Sequence, residues 1–237
     1  MHLMAGGGFT IGLANDGDAD RLGVVNERGE YVDQLRTYAL LVNYLLGQRQ
    51  LRGPIVRSVT TTGMANLLAS HYGVECFETP VGFKHIGPLM MKKDALIGGE
   101  ESGGYGFRGH IPERDGILAG LLLLDYVAAT GRTPSELLSD VFAITGPHYH
   151  KRLDFDLAPG ANRGVKATLD AARPADISGH AVISHDTLDG WRFIFDQGWL
   201  LFRLSGTEPL LRIYTEVRDE SLVGPVLEAG KRIAGVA

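Results

Sequence analysis

Asp16-Gly17-Asp18-Ala19-Asp20-Arg21, close behind the apolar run Phe9-Thr10-Ile11-Gly12-Leu13, constrains this chain more than any other stretch. Aspartates at every second position throw three carboxylates toward one point when the backbone turns tightly at Gly17. Three negative charges on a short loop repel one another unless a cation neutralises them. Hard oxygen ligands of this kind suit Mg²⁺ or Ca²⁺ rather than zinc. Arg21 adds a planar donor for a phosphate oxygen sharing the site. The stretch reads as a metal site for phosphate chemistry, with Asp16, Asp18 and Asp20 as ligands.

Two other readings compete. Asp and Gly are common turn residues, so an ordinary acidic turn is one. An EF-hand is the other, since counting Asp16 as position one puts Glu27 at position twelve. That loop needs glycine at position six, where this chain has Arg21, and helices on both flanks. Here Phe9–Leu13 and Leu22–Val25 read as short strands.

Composition narrows the classes. The chain has 237 residues, enough for one sizeable core or two modest ones, and is 44% hydrophobic and 22% charged. That is a soluble globular composition. A net charge of −5 gives no support to a nucleic-acid-binding surface. The single cysteine, Cys76, excludes an internal disulfide and fits a reducing cytoplasm. Met1–Ala5 lacks the basic and apolar regions of a signal peptide. The apolar run from Ile117 to Leu124 is too short to span a bilayer. Neither nucleic acid nor membrane is expected as a partner.

Three regions follow from the order of patterns. Residues 1–33 look like the tail of a preceding α/β domain: two short strands around the acidic loop, with little core of their own. From 34 to 145, strands alternate with helices, arguing for a parallel α/β sheet. The helices are Gln34 onward, Met64–Tyr72, Lys84–Lys92, Gly116–Thr130 and one opening at Thr133-Pro134-Ser135-Glu136. The strands are Ile55–Val59, Glu75–Thr79 and Ala95–Gly98. Thr133 and Glu136 make a capping box with Pro134 in the first turn. From 146 to 237, strands in succession before a final helix suggest a smaller α+β domain with an antiparallel sheet.

In parallel sheets the working loops lie at the carboxyl ends of the strands. Gly98-Gly99-Glu100-Glu101-Ser102-Gly103-Gly104 holds such a place, and its glycines would let a ligand approach the backbone. Glu100 and Ser102 can face the same side, a carboxylate and a hydroxyl suited to vicinal sugar hydroxyls. A flexible turn with solvated glutamates is the alternative. Thr79-Pro80-Val81-Gly82-Phe83-Lys84 leaves a strand and opens a helix, a natural anion loop. Lys84 and Arg114 either reach the same cleft or are simply solvated. Near the end, Arg203-Leu204-Ser205-Gly206-Thr207-Glu208-Pro209-Leu210-Leu211-Arg212 presents hydroxyls and backbone N–H groups between two arginines. Such a turn suits a dianion. It lacks the Gly-Lys-Ser/Thr ending of a Walker loop.

Asp-Gly-Asp-Ala-Asp-Arg, Gly-Glu-Glu-Ser-Gly-Gly and Arg-Leu-Ser-Gly-Thr-Glu-Pro, in this order, resemble the α-D-phosphohexomutases from Phe9 to the C-terminus. Thr-Pro-Val-Gly-Phe-Lys and Gly-Glu-Glu-Ser look most like the phosphoglucomutase branch. The resemblance implies that Asp16, Asp18 and Asp20 hold Mg²⁺, with Arg21 near the transferred phosphoryl group. It implies a sugar cleft of Thr79, Gly82, Lys84, Glu100, Ser102 and Arg114. It implies that Arg203, Ser205, Gly206, Thr207 and Arg212 hold the phosphate that stays in place. Such enzymes pass a phosphoryl group between a phosphoserine and the sugar's two oxygens, and glucose 1,6-bisphosphate acts as activator in the intact enzyme.

The family's phosphoserine lies in its first domain, in a Thr-Ala-Ser-His-Asn-Pro-like loop, and these 237 residues contain no such loop. Ala69-Ser70-His71 echoes it but continues Tyr72-Gly73 at a helix end. His148 and His150 are expected to be structural. The chain is therefore expected to bind hexose phosphate and to be inactive alone, with a missing N-terminal half or self-association as its macromolecular partners. A non-catalytic sugar-phosphate-binding protein of this ancestry, and a phosphomannomutase or phosphoglucosamine mutase, stay open beside this reading, as does a Ca²⁺-binding module.

Overall fold

Successive residues of a strand face opposite sides of the sheet, so the run Ile55-Val56 needs apolar cover on both. The computed structural model supplies it, describing Met4, residues 7–206 and residues 208–236. Thr207 and most of Met1–Ala5 lie outside the described residues. On β4 (Ile55–Ser58), Ile55 joins a large cluster with Tyr38, Leu41, Leu68 and Leu123. Val56, on the other face, packs with Phe83, Ile86 and Met90.

Residues 1–146 form one compact unit and residues 147–237 another. The sheet of the first runs β5-β4-β6-β7, from β5 (Cys76–Thr79), β6 (Ile97–Gly99) and β7 (Tyr105–Phe107). β5, β4 and β6 are parallel, as the alternating pattern implies, and β7 is antiparallel. Around it lie α1 (Gln34–Asn43), α2 (Met64–Tyr72), α3 (Phe83–Lys93), α4 (Gly116–Thr130) and α5 (Pro134–Thr145). Asp33 caps α1 by accepting from the N–H groups of Leu35 and Arg36, and a π-helical turn, Tyr44–Gln48, continues it. Thr133 and Glu136 form the reciprocal pair expected of a capping box. α4 is apolar on most of its surface, Asp125 apart: Ala119, Leu123 and Val127 are buried, while Ile117, Leu121 and Leu124 are exposed along one stripe. Among the described residues no helix is long and apolar enough to cross a membrane.

The acidic loop joins β1 (Gly12–Asn15) to β2 (Leu22–Val25), which pairs with β3 (Tyr31–Val32). The first strand lies three residues later than the apolar run at Phe9 suggests, and Phe9 is exposed. This small sheet is held by later residues: Leu22, Val24 and Val32 belong to the cluster shared with α1 and α4.

The second unit is an antiparallel sheet ordered β8-β13-β12-β11-β10-β9. Its strands are β8 (Tyr149–Asp156), β9 (Asp176–Ile177), β10 (His180–Asp186), β11 (Trp191–Phe195), β12 (Gly198–Leu204) and β13 (Leu210–Val217). Val165 and Leu169 of α6 (Asn162–Ala171) and Val226 and Leu227 of α7 (Val223–Ala234) fill its core. The final helix follows a 3₁₀ turn at Glu220–Leu222.

Candidate functional site

The acidic loop is tied down at its base. Asn15 donates through Nδ2 to the carbonyl of Arg21 at 2.8 Å. The Ala19 N–H donates to the carbonyl of Asp16 at 3.1 Å, closing a turn over Gly17 and Asp18. Ala19 takes the left-handed conformation, with φ of 57°, which disfavours a side chain with Cβ. Later residues hold it there: the Gly116 N–H donates to the Ala19 carbonyl at 3.0 Å, and the Leu22 N–H to that of Gly103 at 3.0 Å. The Asp loop is thus docked to the start of α4 and to the Glu100–Ser102 segment.

The three carboxylates do not gather at one point, contrary to the alternation argument. Among the described residues no three acidic, His or Cys side chains are grouped to hold a metal ion. Arginines draw two of them aside. Nε of Arg21 lies 3.4 Å from Oδ2 of Asp16 and 3.6 Å from Oδ1 of Asp20. Nη2 of Arg114 lies 2.9 Å from Oδ2 of Asp20. Guanidinium groups supply the neutralising charge here, which the spacing alone assigned to a cation. The donor set still suits Mg²⁺: the ligands are hard oxygens, and Oδ1 of Asp20 is buried without a hydrogen-bond partner among the described residues.

Glu100 and Ser102 come together in a hairpin turn between β6 and β7, where the sequence suggested an open loop. Glu100 donates its N–H to the carbonyl of Gly104 at 3.0 Å, and Gly103 returns a bond to the carbonyl of Glu100 at 3.2 Å. Ser102 Oγ donates to Oε2 of Glu100 at 3.4 Å, and Nη1 of Arg114 lies 3.6 Å from the same oxygen. Glu100 is only 4% exposed. Burial and then the Glu101 charge raise its pKa, against the opposing pull of Arg114, Ser102 and the Gly82 N–H. Arg114 is the hinge of the site, bonded to the Asp loop with one hand and to Glu100 with the other.

Three of the glycines around this turn serve packing. A Cβ on Gly98 would lie 2.4 Å from Ile86 and Met90, and one on Gly99 2.5 Å from the Tyr38 ring. On Gly104 it would lie 2.3 Å from Cδ of Arg114. Helix α3, Tyr38 and Arg114 could not pack so closely against any larger residue.

Of the other cleft candidates, Gly82 caps α3 with φ of 117° and contributes its N–H to Glu100. Lys84 is exposed on the first turn of that helix. Thr79 is buried, and its hydroxyl donates to the Pro80 carbonyl at 2.9 Å. Ser70 sits exposed in the last turn of α2. One cluster was missed. Ser58 Oγ lies 2.7 Å from Thr61 Oγ1 and 3.1 Å from Thr60 Oγ1, and donates to Glu101 at 3.2 Å. A signal existed: Val59-Thr60-Thr61-Thr62 leaves the carboxyl end of the central strand, where loops of such sheets carry function.

The second unit holds the arginine turn between β12 and β13. Arg203 and Arg212 are direct cross-strand partners, a placement in which like charges repel. Nε of each is buried without a hydrogen-bond partner among the described residues. Ser205 Oγ accepts from the Glu208 N–H at 3.2 Å, and Gly206 is exposed at the tip. Thr207 lies outside the described residues. Among the histidines, His150 is half-buried beside the rings of Trp199 and Tyr214, with its Nε2 fully enclosed. Burial and then Arg152 lower its pKa to about 4, so it is neutral there.

Comparison with known proteins fits these loops. Residues 33–144 match the family model described as phosphoglucomutase/phosphomannomutase, alpha/beta/alpha domain III. Residues 162–229 match the model for the C-terminal domain of the same family. The chain belongs to the α-D-phosphohexomutase family. It is 30% identical to a Thermococcus kodakarensis phosphoglucomutase/phosphomannomutase, over 98% of this chain and 49% of the relative. It is 33% identical to a Rubrobacter xylanophilus phosphoglucosamine mutase, over 97% of this chain and 48% of the relative. A solved Thermus thermophilus structure, assigned to the phosphomannomutases, superposes with a TM-score of 0.80 at 36% identity, covering 95% of this chain and 46% of that one. The chain spans about half the length of the curated relatives it matches.

Proposed function

We propose that this chain is the sugar- and phosphate-binding half of a phosphohexomutase, which interconverts hexose 1-phosphate and hexose 6-phosphate. The observation that carries the reading is Arg114, which joins Asp20 of the acidic loop to Glu100 of the hairpin. That contact puts the aspartate loop beside a buried carboxylate and a hydroxyl suited to sugar oxygens. Asp16, Asp18 and Asp20 would hold Mg²⁺, which when bound draws off charge from a phosphoryl group in transfer. Arg21 donates to oxygens of the moving phosphoryl group, and Glu100, Ser102, Gly82, Lys84 and Arg114 orient the sugar, with Thr79 shaping the loop. Arg203, Arg212, Ser205, Gly206 and Thr207 anchor the phosphate that stays in place.

The phosphoserine lies in the half of the family's length that these residues do not span, with glucose 1,6-bisphosphate as activator. The exposed stripe Ile117, Leu121 and Leu124, on the helix that packs against β1, offers that half a docking face. The hexose is glucose by the Glu-Glu-Ser pattern, and a phosphomannomutase or phosphoglucosamine mutase is the second reading, favoured by the relatives named above.

The test is a phosphoglucomutase assay with Mg²⁺ and catalytic glucose 1,6-bisphosphate, on this chain alone and mixed with the N-terminal half of the Thermococcus relative. Activity only in the mixture is the expected result. Robust turnover by the purified chain alone would overturn the reading, because its nucleophile would then lie within these residues. Mannose and glucosamine phosphates in the same assay choose the hexose.

A further inference from the structure

Behind the arginine turn, the hairpin joining β10 to β11 passes through Thr187-Leu188-Asp189-Gly190, which by sequence is an ordinary turn. Gly190 has φ of 99°, and a Cβ there would lie 2.0 Å from the Phe202 carbonyl oxygen and 3.0 Å from Cγ of Arg203. Only glycine lets the hairpin press this closely on β12. The close approach brings Oδ2 of Asp189 to 3.1 Å from Nη2 of Arg203, the two side chains being 24% and 18% exposed. The buried Tyr214 hydroxyl accepts a second bond from the same guanidinium.

A guanidinium carries five donors in a rigid fork. Asp189 takes the Nη2 end, while Nε is buried without a hydrogen-bond partner among the described residues. We propose that Asp189 is a positioning residue of the phosphate turn, holding Arg203 in one orientation so that its remaining donors meet the anion. This rests on the phosphate reading of the turn. An arginine side chain loses rotamer entropy when it is fixed. Asp189 and Tyr214 fix it before the ligand arrives, which lowers the ordering penalty at binding. The carboxylate's own repulsion of a dianion is the smaller effect, because Arg212 faces the same turn with a full positive charge.

The experiment titrates glucose 6-phosphate, and separately inorganic phosphate, into the wild-type chain and into Asp189→Ala, Asp189→Asn and Arg203→Ala. Isothermal calorimetry gives affinities, and the Nε–Hε resonance of Arg203 in ¹⁵N-labelled protein reports its orientation. Asp189→Ala weakens binding about tenfold and shifts that resonance toward the position of a free arginine. Asp189→Asn, which keeps an acceptor oxygen at the same reach, recovers most of the affinity. Where Asp189→Ala fails to fold, Asp189→Glu moves the charge by one methylene, and its weakened binding at native stability serves as the same support. Unchanged or tighter binding in a folded Asp189→Ala or Asp189→Glu protein, with Arg203→Ala still weakened, overturns the inference alone. No phosphate binding by the wild-type chain overturns the reading of the turn as well.

Discussion

The acidic loop of the first unit and the arginine turn of the second are both built from concentrated like charge, and they handle it in opposite ways. Around Asp16, Asp18 and Asp20 the neutralising groups are protein cations: Arg21 from the loop itself and Arg114 from the start of α4. A metal entering there must displace guanidinium groups from the carboxylates. In the second unit two arginines face each other across adjacent strands, each with a buried Nε that no group among the described residues satisfies. An anion entering there neutralises two guanidinium groups whose charges otherwise repel each other across the strands. The first site is therefore closed until a cation and substrate compete for it. The second is poised.

The largest expected effect tests that poise. Arg212→Ala lowers affinity for glucose 6-phosphate about 10- to 100-fold, the worth of a charge-assisted pair of hydrogen bonds, while the melting temperature moves little. An unchanged calorimetric titration would mean that Arg212 only balances the strand.

A second measurement sharpens the contrast through the interiors of the two units. His150 is neutral when folded, with a pKa of about 4 against 6.5 for the free side chain. Between those values the unfolded chain takes up a proton that the folded one refuses, so stability falls as pH drops from 6.5 toward 4. At pH 5 the second unit should be about 2 kcal/mol less stable than at pH 7. Trp191 and Trp199 both belong to that unit, so tryptophan fluorescence during urea unfolding reads it selectively. His150→Leu should flatten the dependence, and a slope that persists would place its source elsewhere. The caps of the first unit respond in more acid solution. Its Asp115 carboxyl is held below the usual range by the Leu118 N–H, an effect offset in part by burial, so its contribution is lost only below that range.

The smallest effect probes the closed site. Arg21→Gln removes one of the competing cations, and Mg²⁺ affinity should rise about two- to fivefold, the scale of an exposed ion pair. A fall in affinity, read by calorimetry, would show that Arg21 orders the loop more than it blocks it.

The alternation of strands and helices, the capping box at Thr133, and the order of the three motifs were all legible in the chain, because each depends on neighbours close in sequence. Local pattern missed the antiparallel β7 and moved β1 by three residues, since short strands have little periodicity of their own. The hydroxyl cluster at Ser58, Thr60 and Thr61 was visible only as a threonine run until Glu101 came to meet it.

By itself the sequence determined which charges exist and which short segments carry them: the aspartates, the Glu-Glu-Ser turn, the paired arginines. Tertiary structure alone decided which charge answers which. Arg114 meets Asp20 and Glu100, and Asp189 meets Arg203, only because Gly104 and Gly190 let distant segments approach within the radius of a side chain. Such pairing depends on packing between residues far apart in the chain, and so it lies beyond spacing or periodicity.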